Sequence, residues 1–182
     1  MTLKSLILVL SCIVLLGTSP NEESFTWNEN RKLTWADFKA PVNPNSDAVA
    51  LTASGITFGY SINRTNKRIT GFKATIESHF YPNKSWYVRG KADDYILGHE
   101  QLHFDITELY TRKFREQVDK LKVSQNVKQQ LDALYANINK ALAETQNAYD
   151  TQSAHSMNPE MQKKWELRIQ EELKTLDRYK SQ

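Results

Sequence analysis

Cysteine is almost missing from this chain of 182 residues: Cys12 is the only one, and it sits inside an apolar N-terminal run. A mature chain without that run has neither a disulfide nor a thiol, so cysteine nucleophiles and cysteine-ligated metal sites are excluded. The fold must then rest on a packed core. Glycine and proline are also scarce, at 6 and 5 residues, which excludes collagen-like and low-complexity architectures. An excess of one charge is lacking as well. The 24 basic residues are interspersed with 21 acidic ones, the formal net charge is +3, and no basic patch suggests a nucleic-acid partner.

What the chain does have begins at its N-terminus. Met1 to Lys4 carries one positive charge, Ser5 to Leu16 is nearly all apolar, and Gly17 to Pro20 brings small and breaking residues. This is the three-part pattern of a secretory signal peptide, and the run falls short of the about 20 apolar residues a spanning helix needs. The expected organisation is a leader over residues 1–20 and a single domain over 21–182. The mature protein is expected in the periplasm or outside the cell, free of the membrane once the leader is cleaved.

Residues 21–32 read as a loose polar lead-in, followed by the compact aromatic segment Leu33 to Phe38 and a Pro/Asn loop over 41–47. Two strand-like runs follow, Ala50 to Ile62 and Arg68 to Tyr81, with Asn63 to Lys67 as the turn of a hairpin. In the second run Phe72, Ala74, Ile76 and Ser78 alternate with Lys73, Thr75, Glu77 and His79, the period of a half-buried strand. Ser85 to Arg89 reads as a further short strand. Three helices complete the chain: Asp93 to Lys120, a second capped by Ser124 with Val127, Leu131, Leu134, Ile138 and Leu142 on one face, and a third starting at Asn158-Pro159-Glu160. Strands followed by helices give an α+β class. The basic ends of the helices read as solvated faces.

Chemistry concentrates in His99-Glu100-Gln101-Leu102-His103, on the first helix. At 100° per residue His103 lies about 40° round from His99, within the stripe of Ile96, Ile106, Tyr110 and Phe114. Asp105 and Glu108 fall on the other side. Inward-facing imidazoles need partners for their nitrogens, and a shared zinc ion satisfies one on each ring. Glu100, beside the pair, is placed to act as general base toward a water acidified by the metal. A catalytic zinc ion usually has three protein ligands. Leu109 and Ile106 stand where a metzincin has its third histidine and its glycine, which excludes that class. His155, in the segment Tyr149 to Ser156 before the third helix, is the leading third ligand, with Glu144 and His79 as alternatives. Tyr149 is a candidate oxyanion donor, and Asp150 a candidate to orient a metal-bound imidazole.

Leu33-Thr-Trp-Ala-Asp-Phe38, Leu97-Gly-His-Glu-Gln-Leu-His-Phe-Asp-Ile106, Tyr149-Asp150, Ser153-Ala-His155 and Trp165 occur in that order. Together they resemble a bacterial family of unknown function predicted to consist of secreted zinc-dependent proteases. Ser153 and Ser156 depart from that pattern, where threonine and glycine are expected. The resemblance implies a zincin-like domain, with a small antiparallel sheet packed beside the motif helix and two further helices after it. It also implies His99, His103 and His155 as zinc ligands and Glu100 as the base. The expected activity is that of a zinc metallopeptidase acting on a peptide or protein substrate. The alternatives are hydrolysis of a non-peptide amide and a non-catalytic envelope protein that binds metal and a protein partner.

Overall fold

The computed structural model describes residues 22–181, so the expected leader over 1–20 lies outside the described residues. Five strands precede three helices: β1 (Phe25–Thr26), β2 (Ala50–Leu51), β3 (Ser54–Thr65), β4 (Arg68–Phe80), β5 (Trp86–Tyr87), α1 (Asp94–Asp119), α2 (Val127–Ser153) and α3 (Pro159–Thr175). The class is α+β, as expected. β1, β4 and β3 form an antiparallel sheet in that order, and β2 pairs with β5 in a second, two-stranded one. Among the described residues no helix is long and apolar enough to cross a membrane.

The hairpin forms because β3 and β4 both alternate, and the turn between them has Asn66 and Lys67 at φ 50° and 66°. Positive φ at two central residues is the twist that a tight hairpin turn demands. Along β4, Ile76 and Ser78 are buried while Thr75 and Glu77 are exposed.

Several expectations need correction. The run expected as one strand from Ala50 breaks at Thr52, whose hydroxyl donates to the Glu100 carbonyl oxygen at 3.2 Å. Ala53 N–H then donates to the Ser85 hydroxyl at 2.9 Å, and the two residues before the break pair with β5 instead of β4. The lead-in is docked, not loose: Phe25 pairs with Phe80, and the buried Trp27 donates its indole N–H to Asp105 at 2.7 Å. Ser124 does not cap α2; Asn126 holds the cap position, and the Ser124 hydroxyl donates to the Gln130 side chain at 3.0 Å. The start of α3 is as expected, with Pro159 in the first turn and the Asn158 side chain accepting from Met161 N–H at 3.2 Å.

α1 is the organising element, packed between β3–β4 on one side and α2 and α3 on the other. A buried helix of this kind carries polar groups only where they are paired. On the side away from the two histidines, Glu108 is fully buried. It accepts from Arg112 Nε at 2.8 Å, from the Ser78 hydroxyl at 2.6 Å and from Ser181 N–H and hydroxyl at 3.1 and 2.9 Å. Arg112 also donates to the Leu173 carbonyl at 2.7 Å. The basic residues near the end of α1 are therefore not all on a solvated face. Arg112 is buried because its charge is neutralised inside.

Candidate metal centre

The site is assembled on α1. Asp93 caps the helix by accepting from Ile96 N–H at 2.9 Å, and the register this sets turns His99 and Glu100 into the interior. The Nε2 atoms of His99 and His103 lie 3.2 Å apart. Asp150 Oδ1, from α2, sits 3.1 Å from the first and 2.8 Å from the second. Among the described residues these three side chains form a group that could hold a metal ion, their ligand atoms all within 4.8 Å of one another. Solvent reaches the group mainly on the Asp150 side, whose side chain is 29% exposed against 6% for His99.

The floor of the site is the ring of Tyr149, which is fully buried. It stacks on His99 at 4.5 Å between centroids and meets His103 edge-on at 5.0 Å. Burial, foremost, with the nearby Glu100 charge next, pushes the Tyr149 phenol well above its ordinary value, so it stays protonated. Burial would raise Asp150, but its hydrogen bonds to His103 and His99 outweigh that and hold the carboxyl well below the usual range. Burial would lower His103, yet the hydrogen bond and charge of Asp150, helped by Glu100, raise it above the ordinary histidine value. Among the described residues, two buried side-chain polar atoms have no hydrogen-bond partner: Glu100 Oε2 and the Tyr149 hydroxyl.

This donor set fits a cation. Two imidazole nitrogens and a carboxylate oxygen match the histidine-and-carboxylate sets that hold catalytic zinc with one position open. The protons that the imidazoles share with Asp150 lie where a cation would sit, and an ion bound there would take their place. The Glu100 Oε2 atom has no partner, and its charge acts on His103, so it is a free acceptor at the edge of the site.

The expected residues divide as follows. His99, His103, Glu100 and Tyr149 are brought together, and so is Asp150, expected to orient an imidazole but placed with its oxygen beside both Nε2 atoms. His155 is not in the group: it is exposed on the turn after α2, where Ala154, His155 and Ser156 have φ of 48°, 50° and 71°. Its N–H donates to the Asp150 carbonyl at 2.8 Å. Glu144 is exposed and faces Lys140, while His79 lies between Ser24 and Glu77. The segment from Tyr149 to Ser153, expected between helices, is the last part of α2. This is why Asp150 faces the histidines. Gln146, one turn earlier on the same face, continues the stripe that holds Leu142 and Tyr149, the one sequence signal that points to it. The larger described cavity, about 500 Å³, is lined by β4, the end of α1 and residues 178–180, and contains none of these site residues.

Residues 30–156 match the model of a family described as bacterial protein of unknown function (DUF922). No curated protein and no solved structure matches the chain.

Proposed function

We propose that this chain, which belongs to that family of bacterial proteins of unknown function, is a zinc-dependent hydrolase of zincin-like type that cleaves an amide bond in a peptide or protein. The observation that carries the reading is the buried, unpartnered Glu100 Oε2 beside two imidazoles and a carboxylate that converge on one point. A purely structural metal site has no use for a free carboxylate at its edge.

His99, His103 and Asp150 would hold the ion, with His155 as the alternative third ligand. Zinc, when bound, would supply Lewis-acid chemistry, polarising a carbonyl and making water a stronger acid. Glu100 Oε2 takes a proton from the water as its oxygen bonds to the scissile carbonyl carbon. The carboxyl then returns that proton to the departing amine nitrogen, so the carboxylate is regenerated. The ring of Tyr149 excludes water beneath the imidazoles. Its hydroxyl, protonated and without a partner, is a candidate donor to the developing oxyanion.

A second reading, a metal-binding envelope protein without turnover, is favoured by the burial of Glu100, only 4% exposed. The test is a digest of a diverse peptide mixture by zinc-loaded wild type and Glu100→Gln. General acid–base catalysis contributes about 10²–10⁴-fold, so the variant should lose that much turnover while keeping zinc and fold. Equal cleavage by both proteins sinks the base role. An inert wild type across peptides, folded proteins and wall fragments moves the assignment to the second reading.

A further inference from the structure

Each imidazole of the site has a second nitrogen, and each of those meets a glutamine. Gln146 on α2 presents its Oε1 to His103 Nδ1, while its Nε2 donates to the His103 carbonyl at 2.9 Å and to the Thr107 hydroxyl at 3.3 Å. Gln162 on α3 presents Oε1 to His99 Nδ1 at 3.3 Å, and its Nε2 donates to the Tyr95 carbonyl at 3.4 Å. A main-chain carbonyl can only accept. It therefore fixes which end of each amide is the NH2 group, and the opposite end must be the oxygen. An amide oxygen facing Nδ1 requires that Nδ1 carry the proton. A neutral imidazole with its proton on Nδ1 has its lone pair on Nε2, and the two Nε2 atoms are those that converge with Asp150.

We infer that Gln146 and Gln162 are positioning residues that set the tautomer and ring orientation of His103 and His99, so that both present Nε2 lone pairs to the ion. The inference rests on the metal reading above. Packing alone does not account for the arrangement. Gln162 is only 1% exposed, and a buried amide is retained at a cost unless its specific hydrogen bonds are used. Both residues are neutral where a carboxylate would do the same orienting work. Glu100 and Asp150 already bring two carboxylates to the site, and a further buried negative charge would carry its own desolvation cost. Gln162 lies beyond the span that matches the family, so α3 contributes to the site through a residue outside that match.

The experiment measures zinc affinity by competition with a chromogenic chelator for wild type, Gln146→Leu, Gln146→Glu and Gln162→Met. The Nδ1–H proton resonances of the zinc-loaded proteins and their melting temperatures are followed in parallel. Partners that orient metal-bound imidazoles typically contribute about 10–100-fold in metal affinity. Gln146→Leu and Gln162→Met should each weaken zinc by that factor. The Nδ1–H signal of the affected ring alone should move upfield and exchange faster. Gln146→Glu, which keeps an acceptor at Nδ1, should hold zinc within about tenfold of wild type. If the apolar variants stay folded and bind zinc as tightly as wild type with both Nδ1–H signals unmoved, the inference is overturned while the metal reading stands. The inference is also overturned if the His103 Nδ1–H signal moves as far in Gln146→Glu as in Gln146→Leu, since the acceptor at Nδ1 would then not matter. A wild type that takes up no zinc overturns the metal reading and the inference with it.

Discussion

Replacing Asp150 by asparagine and His155 by alanine, in separate proteins, asks which residue completes the metal set. Asp150 Oδ1 lies 3.1 and 2.8 Å from the two Nε2 atoms, while His155 is exposed outside the group. Structural zinc sites bind with about 10–16 kcal/mol in total, so one position of four contributes roughly 2.5–4 kcal/mol. That corresponds to between two and three decades of affinity. Asparagine keeps the shape and one oxygen but removes the charge that the ion would neutralise, so Asp150→Asn should weaken zinc by about two decades. His155→Ala should change it by less than about threefold, since the only bond described for His155 is made by its backbone N–H. Competition against a chromogenic chelator at fixed pH reads both, with circular dichroism to show that each variant is folded. Intact zinc binding in Asp150→Asn would falsify the assignment. So would a loss in His155→Ala as large as in Asp150→Asn, because the third position would then belong to the turn and not to the helix.

Tyr149→Phe should raise the melting temperature, because it deletes a buried hydroxyl that has no partner and leaves the ring stacking intact. An unmet buried donor costs about 1–3 kcal/mol, and each kcal/mol shifts the midpoint by about 2–4 °C at this size, so a lowered midpoint would refute the reading. Arg112→Met should destabilise by about 3–5 kcal/mol in urea unfolding, since it strands the fully buried Glu108 carboxylate, and a loss below about 1 kcal/mol would show that the serine contacts suffice. Zinc affinity should fall on acidification, because His103 must lose its proton to bind the ion. Its value in the metal-free protein is raised, so the decline should begin above the ordinary histidine value of about 6.5, and an affinity constant down to pH about 6 would contradict this.

Much of the fold is legible from local pattern. The hairpin follows from period-2 alternation flanking a polar turn, α1 from its acidic start and apolar stripe, and α3 from Asn158-Pro159 at its cap. The two histidines and Glu100 are legible because their spacing on a helix is a local geometric fact. The lead-in was not, because Phe25 and Trp27 gain their burial from Phe80 and Asp105, which lie far along the chain. The end of α2 is not legible for a different reason. Tyr149 to Ser153 is polar enough to look like a loop, yet Asp150 meets both imidazoles and the buried Tyr149 ring stacks on His99.

The sequence alone therefore determined the α+β order of elements, the motif helix and the pairing of His99 with His103, all of which depend on contacts within a few turns of one chain segment. Asp150 and Tyr149 stand in the sequence as candidates for the site, but only the tertiary structure decided which atoms meet those histidines. Asp150, Gln146 and Gln162 arrive from two other helices, and their approach depends on how α1, α2 and α3 pack. Helix packing is set by side chains distributed over the whole core, and no short stretch of sequence carries that information.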